Sequence, residues 1–524
     1  MRARCLSPVL TVLLALCLAI PVRSDAASCR RLRDADPAGA SALLPICPPI
    51  TIDLDRGGAA SPLVEGPITG GSRNRPTVAG TAFDLAQVGY EVAEFFLTGT
   101  ATAYRNDGPL DSGGRWRVAP ASTAPYKTRI VVYRPSDPAR FSGTVVVEWL
   151  NVSGGLDAAP DWITLHTEIT RRGAVWVGVS AQFVGIEAGP SPLTPLSGGL
   201  KAVDPGRYGT LSHPGDSYSY DIYSQVGRAL RAPDGPDPLG GLRVRKLLAA
   251  GESQSAFRMT TYVNAVDPVA RVYDGFFVHS RGGGSAPLSQ DPLPQIRTPD
   301  VVRIRTDVRV PVLTFQTETD VLVLGSYPDR QPDSRNIRLW EAAGTSHADT
   351  YTLNVGFSDV GGDPSVAAVL VTAAPLPGII ECDLPVNSGP QHWIGKAALR
   401  ALERWVGGGL APARAPRLTV SANGGDPEFV VDANGNVLGG IRTSYVDARV
   451  ATLSGLGQTG GSFCRIFGTT APLDAATIRQ RWSSNAEYVA DVKNANDTAV
   501  RRGFLLQPDA DLILEYARTS GIGD

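Results

Sequence analysis

The sequence predicts an α/β protein with a mainly parallel sheet, and two observations carry that expectation. Short runs rich in Val, Ile, Leu and aromatic residues alternate with amphipathic stretches from about residue 127 onward, and most of those runs are apolar on both faces. Strands buried on both sides between helices have that pattern.

The strand-like runs are TRIVVYRP (128 to 135), GTVVVEWL (143 to 150), AVWVGVSA (174 to 181), VRKLLAAG (244 to 251), DGFFVHSR (274 to 281), PVLTFQT (311 to 317) and IRLWEAAG (337 to 344). Between them, PDWITLHTEITRRG places Trp162, Ile163, Leu165 and Ile169 at helical spacing and closes on basic residues and Gly173. SYDIYSQVGRALR and QSAFRMTTYVNAV read the same way, the second expected to stop at Asp267-Pro268. Residues 182 to 217 and 348 to 391 break the rhythm as long insertions after strands, where binding loops of open α/β sheets lie. After the helix HWIGKAALRALERWV comes a tail with a hairpin expected at Asn434-Gly435 and short helical pieces beyond it. The expected organisation is a leader (1 to 26), an N-terminal extension (27 to 126), a core with its two insertions (127 to 407) and a C-terminal extension packed on that core (408 to 524).

The leader has Arg2 and Arg4 before the apolar run LSPVLTVLLALCLAIPV, with small residues following. This is the pattern of a secretory signal cleaved near Ala26, and a short membrane anchor is the rival reading. A secreted or periplasmic location follows, with no membrane span expected in the mature chain. Of six cysteines, Cys5 and Cys17 would leave with the leader. The remaining Cys29, Cys47, Cys382 and Cys464 are an even set suited to an oxidising compartment, and the pairs Cys29-Cys47 and Cys382-Cys464 are expected. A zinc site lacks both C-x-x-C spacing and a neighbouring histidine pair, so no metal is expected. The formal charge of -2 over 524 residues, without blocks of Lys or Arg, leaves no electrostatic footprint for nucleic acid.

The stretch LAAGESQSA (248 to 256) holds a G-x-S-x pattern whose next residue is Ser255, where a second glycine would complete the usual nucleophile motif. A nucleophile elbow needs a strand before the serine and a helix after it, and both surround Ser253. Gly251 lets strand and helix approach, and Ser255 adds only a hydroxymethyl group. A serine hydroxyl needs a base. Of the five histidines, His347 follows the last apolar strand and is the expected base. His166 falls within a predicted helix, His279 comes early in the order, and His213 and His392 are the remaining alternatives. Asp320, 27 residues before His347, is favoured as the carboxylate that orients it, with Glu318 as its rival. Two donors must face the oxyanion. The main-chain N-H of Gln254 is one, and Val152 in the loop Asn151-Val152-Ser153-Gly154-Gly155 is the expected other, with Asn151 and Ser153 close alternatives.

The order Ser, Asp, His is that of the α/β-hydrolase arrangement. The blocks VVVEWLNVSGGLDAAPDW, HPGDSYSYDIYSQVGRAL, LLAAGESQSAFRM, WEAAGTSHAD, LPVNSGPQHWIGKAALRAL and FCRIFGTTAPLDAATI resemble bacterial secreted α/β-hydrolase domain proteins, from about residue 50 to the C-terminus. The resemblance implies the α/β-hydrolase fold and a serine hydrolase site at Ser253 and His347, without implying a substrate. The expected activity is hydrolysis of a small or polymeric carboxylic ester through an acyl-enzyme, without a cofactor. Cleavage of lactones, thioesters or amides at the same site is the alternative, as is a binding protein without catalysis. Arg281, Tyr218 and Tyr220 are weighed as pocket residues but read more readily as a strand-end charge and packed side chains.

Overall fold

The structure is a computed structural model, and it describes residues 61–190, 198–422, 424–461 and 463–524. The leader and the expected Cys29-Cys47 pair lie outside the described residues. One nine-stranded sheet organises the chain. Its strands are β1 (Leu63–Glu65), β2 (Tyr90–Asn106), β3 (Val118–Pro135), β4 (Thr144–Trp149), β5 (Val175–Val179), β6 (Lys246–Glu252), β7 (Gly275–His279), β8 (Val312–Gln316) and β9 (Ile337–Glu341), in the order β1-β2-β3-β5-β4-β6-β7-β8-β9. From β5 to β9 all neighbours run parallel, while β1, β2 and β3 join by antiparallel pairing.

The parallel strands are apolar throughout because both faces are covered. Val145 and Val147 of β4 enter one core with helices α2 (Ser219–Arg231) and α3 (Gln254–Thr261). Val146 enters the opposite core with α1 (Pro160–Arg171) and α4 (Gln391–Val406). The chain goes from β4 to β5 on one side and returns to β6 on the other. Loops after β4 and β6 therefore leave side by side at the carboxyl edge, the position where open α/β sheets hold ligands.

Residues 90 to 126, which the sequence reading sets before the core, run within this same sheet. β2 pairs β3 from Tyr90↔Pro135 to Asn106↔Val118, with an irregularity at Thr102/Tyr104. The pair also buries charge. Arg129 Nη1 donates to Glu94 Oε1 at 3.1 Å, and Arg129 Nη2 donates to Asp157 Oδ2 at 2.7 Å. Arg207 Nε reaches Glu94 Oε2 at 2.5 Å, and Ser180 Oγ donates to Asp157 Oδ2.

Two further expectations are corrected. The helix after Ser253 does not end at Asp267: it widens into a π turn over Tyr262–Val266 and resumes for Asp267–Ala270. Pro268 stands in the first turn of that resumed piece, where its missing N-H costs no helical bond. The tail ends in two full helices, α5 (Asn485–Arg502) and α6 (Gln507–Thr519), rather than short pieces. Tyr488, Val492, Ala510 and Ile513 bury their apolar sides together with Trp393 of α4. The Asn434-Gly435 turn closes through Asp432 N-H donating to Asn436 O at 2.8 Å, flanked by the single bridge Val431↔Val437. Cys382 and Cys464 form a disulfide.

At the start of α4, His392 stacks on Tyr351 with ring centroids 3.7 Å apart, and among the described residues neither ring nitrogen has a hydrogen-bond partner. Burial, reinforced by Lys396 and His166, pushes its imidazole well below the ordinary value of 6.5. A base whose folded value is depressed is neutral in the fold but gains a proton on unfolding once pH drops below 6.5. The stability it contributes is thus present above that pH and is lost below it, by up to about 1.4 kcal/mol per pH unit. His392→Phe keeps the stacking face without the titration. Urea unfolding at pH 7.5 and 5.5 is expected to show a smaller acid loss in the variant than in the wild type.

Candidate active site

Ser253 stands at the junction of β6 and α3 with φ 56° and ψ -121°. A non-glycine residue at positive φ outside the left-handed helical well is strained, so neighbours must hold it there. Its N-H donates to His279 O of β7 at 3.0 Å, and its carbonyl accepts from the N-H groups of Ala256 and Phe257. A Cβ added at Gly251 would come within 2.9 Å of Ser255 O and 3.2 Å of Ser255 Cβ. The glycine is therefore required by proximity. Ser255 is fully buried, and among the described residues its hydroxyl has no hydrogen-bond partner. It fills space at the turn.

His347 lies on the loop after β9, and Asp320 lies in the helical turn Glu318–Leu322 after β8. The structure brings both to Ser253: His347 Nε2 is 2.8 Å from Ser253 Oγ, and His347 Nδ1 is 2.6 Å from Asp320 Oδ1. Thr317 caps the turn, and its N-H donates to Asp320 Oδ2 at 2.7 Å, which leaves Oδ1 for the imidazole. Glu318 is occupied elsewhere. Its oxygens accept Gly344 N-H at 2.6 Å and Gly455 N-H at 2.8 Å, while burial pushes its carboxyl up to about 7. For His347, burial disfavours the protonated form, but the Asp320 carboxylate, with Glu252 adding to it, outweighs burial, and the imidazole lies above its ordinary value.

The loop after β4 offers main-chain donors. Asn151 exchanges hydrogen bonds with Ala158, N-H to O at 2.9 Å in both directions. Ser153 N-H is taken by Asn151 Oδ1 at 2.8 Å. Among the described residues no acceptor engages the N-H of Val152 or of Gln254, the latter opening α3. Gly155, at φ 74°, closes the turn by donating to Val152 O. Free N-H groups at a loop and at a helix start can bear negative charge on a substrate oxygen.

Two further groups stand beside these, and of their members only His279 stood out in the sequence. His279 Nδ1 pairs with Asp161 Oδ1 at 2.8 Å, both buried, and Gln391 Nε2 reaches His279 Nε2 at 3.4 Å and His347 O at 3.0 Å. Glu252, next to the serine, has Oε1 at 3.5 Å from His347 Nε2. A carboxylate directly before a candidate nucleophile was the available signal for it. The remaining histidines bond or pack elsewhere: His213 Nε2 with Ala181 O, His166 Nε2 with Asp359 O, and His392 on Tyr351. Arg281 is neither solvated nor a cleft residue. It is buried, donates to the carbonyls of Gly282, Gly283, Gly284 and Val302, and lies 2.9 Å from Asp329 Oδ2. Tyr218 and Tyr220 are also buried, with their hydroxyls at Ser122 Oγ and Pro287 O. Among the described residues no three His, Cys, Asp or Glu side chains converge as metal ligands would.

Sheet order, a strained serine between strand and helix, and a carboxylate and an imidazole following in that chain order define a protein of the α/β-hydrolase class. The chain belongs to the alpha/beta hydrolase domain family, which matches residues 64–515. Solved structures similar to it include a serine hydrolase without a lid from Xanthomonas campestris, at 14% identity over 47% of this chain and 86% of that one, with a TM-score of 0.27. Est1E from Butyrivibrio proteoclasticus, solved with ferulic acid, is 10% identical over 42% and 88%, with a TM-score of 0.26. The Pyrococcus furiosus esterase Pf2001 is 10% identical over 52% and 87%, also at 0.26. No curated protein matches the chain.

The turn makes a prediction about its two small residues. Ser255→Ala deletes an unpaired buried hydroxyl, so its melting temperature is expected to hold or rise and its site to stay assembled. Gly251→Ala forces a shift of main-chain atoms and is expected to cost about 2 kcal/mol or more. Thermal unfolding of the two variants in parallel checks the contrast.

Proposed function

We propose that the protein is an exported serine hydrolase that cleaves carboxylic esters through an acyl-enzyme. The observation that carries the reading is the continuous contact from Ser253 Oγ to His347 Nε2 to Asp320, at 2.8 and 2.6 Å. In this reading Ser253 Oγ attacks the ester carbonyl while its proton passes to His347 Nε2. Asp320 holds the imidazole in the tautomer that leaves Nε2 free to accept and stabilises the imidazolium that forms. The N-H groups of Val152 and Gln254 bear the oxyanion. His347 then gives its proton to the departing alcohol oxygen as the C-O bond breaks. Water, deprotonated by the same imidazole, releases the acid and restores the serine. Export is supported by the basic and apolar leader of the sequence and by the disulfide between Cys382 and Cys464.

Short p-nitrophenyl esters test the reading. Wild type is expected to turn them over and to be labelled by a fluorophosphonate, and Ser253→Ala to lose both properties. An inert, unlabelled wild type would sink the proposal. Asp320→Asn is expected to lower kcat by about four orders of magnitude. Glu318→Gln should act mainly on stability, since that carboxylate serves two main-chain N-H groups. The base must be neutral to accept a proton, and His347 lies above its ordinary 6.5. A profile of kcat/KM against pH is therefore expected to fall on the acid side through an apparent value above 6.5.

A further inference from the structure

We infer that Glu252 is a positioning residue whose single carboxylate links the oxyanion loop to His347. The inference rests on the Ser253 reading above and adds a residue to it. Glu252 Oε1 stands 3.5 Å from His347 Nε2, the same nitrogen that Ser253 Oγ approaches. Its Oε2 lies 3.4 Å from Asn151 Nδ2, which also donates to the Glu252 main-chain oxygen at 3.2 Å. Through Oδ1 the same Asn151 holds Ser153 N-H. Asn151 therefore fastens the loop carrying Val152 to the strand end carrying Ser253, and Glu252 extends that fastening to the histidine.

A purely structural carboxylate in this interior looks different. Glu148 accepts the N-H groups of Asp161 and Trp162 at 2.9 Å and Trp176 Nε1 at 2.8 Å. Glu318 accepts its two N-H groups at 2.6 and 2.8 Å. Glu252 is buried like them, yet its side chain has only long contacts. A buried carboxylate so poorly served is costly. Its interactions improve when His347 becomes an imidazolium, which then has a carboxylate near each ring nitrogen. Stabilisation that grows between ground state and transition state is the kind that raises kcat. Burial acts most strongly on Glu252 and pushes its carboxyl up to about 7; of the ionisable groups that face it, His347 and His279 favour its charge, and Asp161 and Asp320 oppose it.

The test compares wild type with Glu252→Gln, Glu252→Asp and Asn151→Ala. In 15N-histidine-labelled protein without substrate, Glu252→Gln is expected to move the His347 titration down by about half to one pH unit, since a nearby negative charge is gone. On p-nitrophenyl acetate the acid limb of kcat/KM should move the same way, and kcat should fall about 10- to 100-fold with KM within about twofold. Glu252→Asp keeps the charge and should restore the limb in part; it carries the test if the Gln variant melts early. Asn151→Ala should lower kcat while leaving the His347 titration in place. If Glu252→Gln leaves both that titration and kcat within twofold of wild type in an enzyme that still takes the fluorophosphonate, the role of Glu252 is overturned while the Ser253 reading stands. A wild type that neither reacts nor labels removes both.

Discussion

The close approach of β6 and α3 is the constraint on which the rest depends. Within five residues the chain must turn from the sheet into a helix, and only a small residue at Gly251 and a compact one at Ser255 leave room. The turn forces Ser253 to positive φ, a conformation that costs about 1–3 kcal/mol and persists only where surroundings over-determine it. They do so here: β6 is central, β7 accepts the Ser253 N-H, and β4 on the other side sends out the loop that Asn151 fastens to Glu252. The serine is raised at the carboxyl edge because the sheet beneath it is broad, dry and parallel.

A second layer of support is ionic. Asp157 closes the loop that begins at Asn151, and it is held by Arg129 from β3 and by Ser180 at the end of β5. Arg129 shares Glu94 with Arg207 from the first insertion. Two arginines and two carboxylates of near-zero exposure are costly to desolvate one by one, and the cost is offset by their pairing and by donors at Glu94 Oε1, Glu94 Oε2 and Asp157 Oδ2, while among the described residues Asp157 Oδ1 meets none. Such a network tolerates little displacement. The antiparallel hairpin β2–β3 is thereby tied to the geometry of the Val152 loop, however far it lies from Ser253 in sequence.

Much of this was legible from residue pattern alone. All seven apolar runs coincide with strands, since burial on both faces leaves an unambiguous signature. Ser253, Asp320 and His347 stood out because a nucleophile, its acid and its base are expected at strand ends, and each follows one. The hairpin β2–β3 was hidden by its own composition: YEVAEFFLTGTATAYRN mixes Glu, Thr, Gly and Ala, and its inward Glu94 reads as a surface residue until Arg129 is placed against it. The continuation of α3 past Asp267 was hidden because a proline normally marks an end, whereas here a π turn precedes it. Glu252, Asp161 and Gln391 were hidden for a different reason. Their partners are tens to hundreds of residues away, and only the fold brings a glutamine from α4 to a carbonyl at His347.

Glu318 has a consequence of another kind. One of its oxygens is served by Gly344, on the loop that carries His347, and the other by Gly455, 137 residues downstream in the C-terminal extension. Thr319 bonds to the same glycine, Oγ1 donating to its carbonyl at 2.7 Å. The turn bearing Asp320 is thus finished by a segment that enters the chain long after every residue of the proposed triad. Contacts so distant in sequence cost loop-closure entropy before they return any stabilisation. Completion of the site therefore depends on the C-terminal extension, and a chain halted before residue 455 would carry the serine, the histidine and the aspartate without the partner that sets their loop.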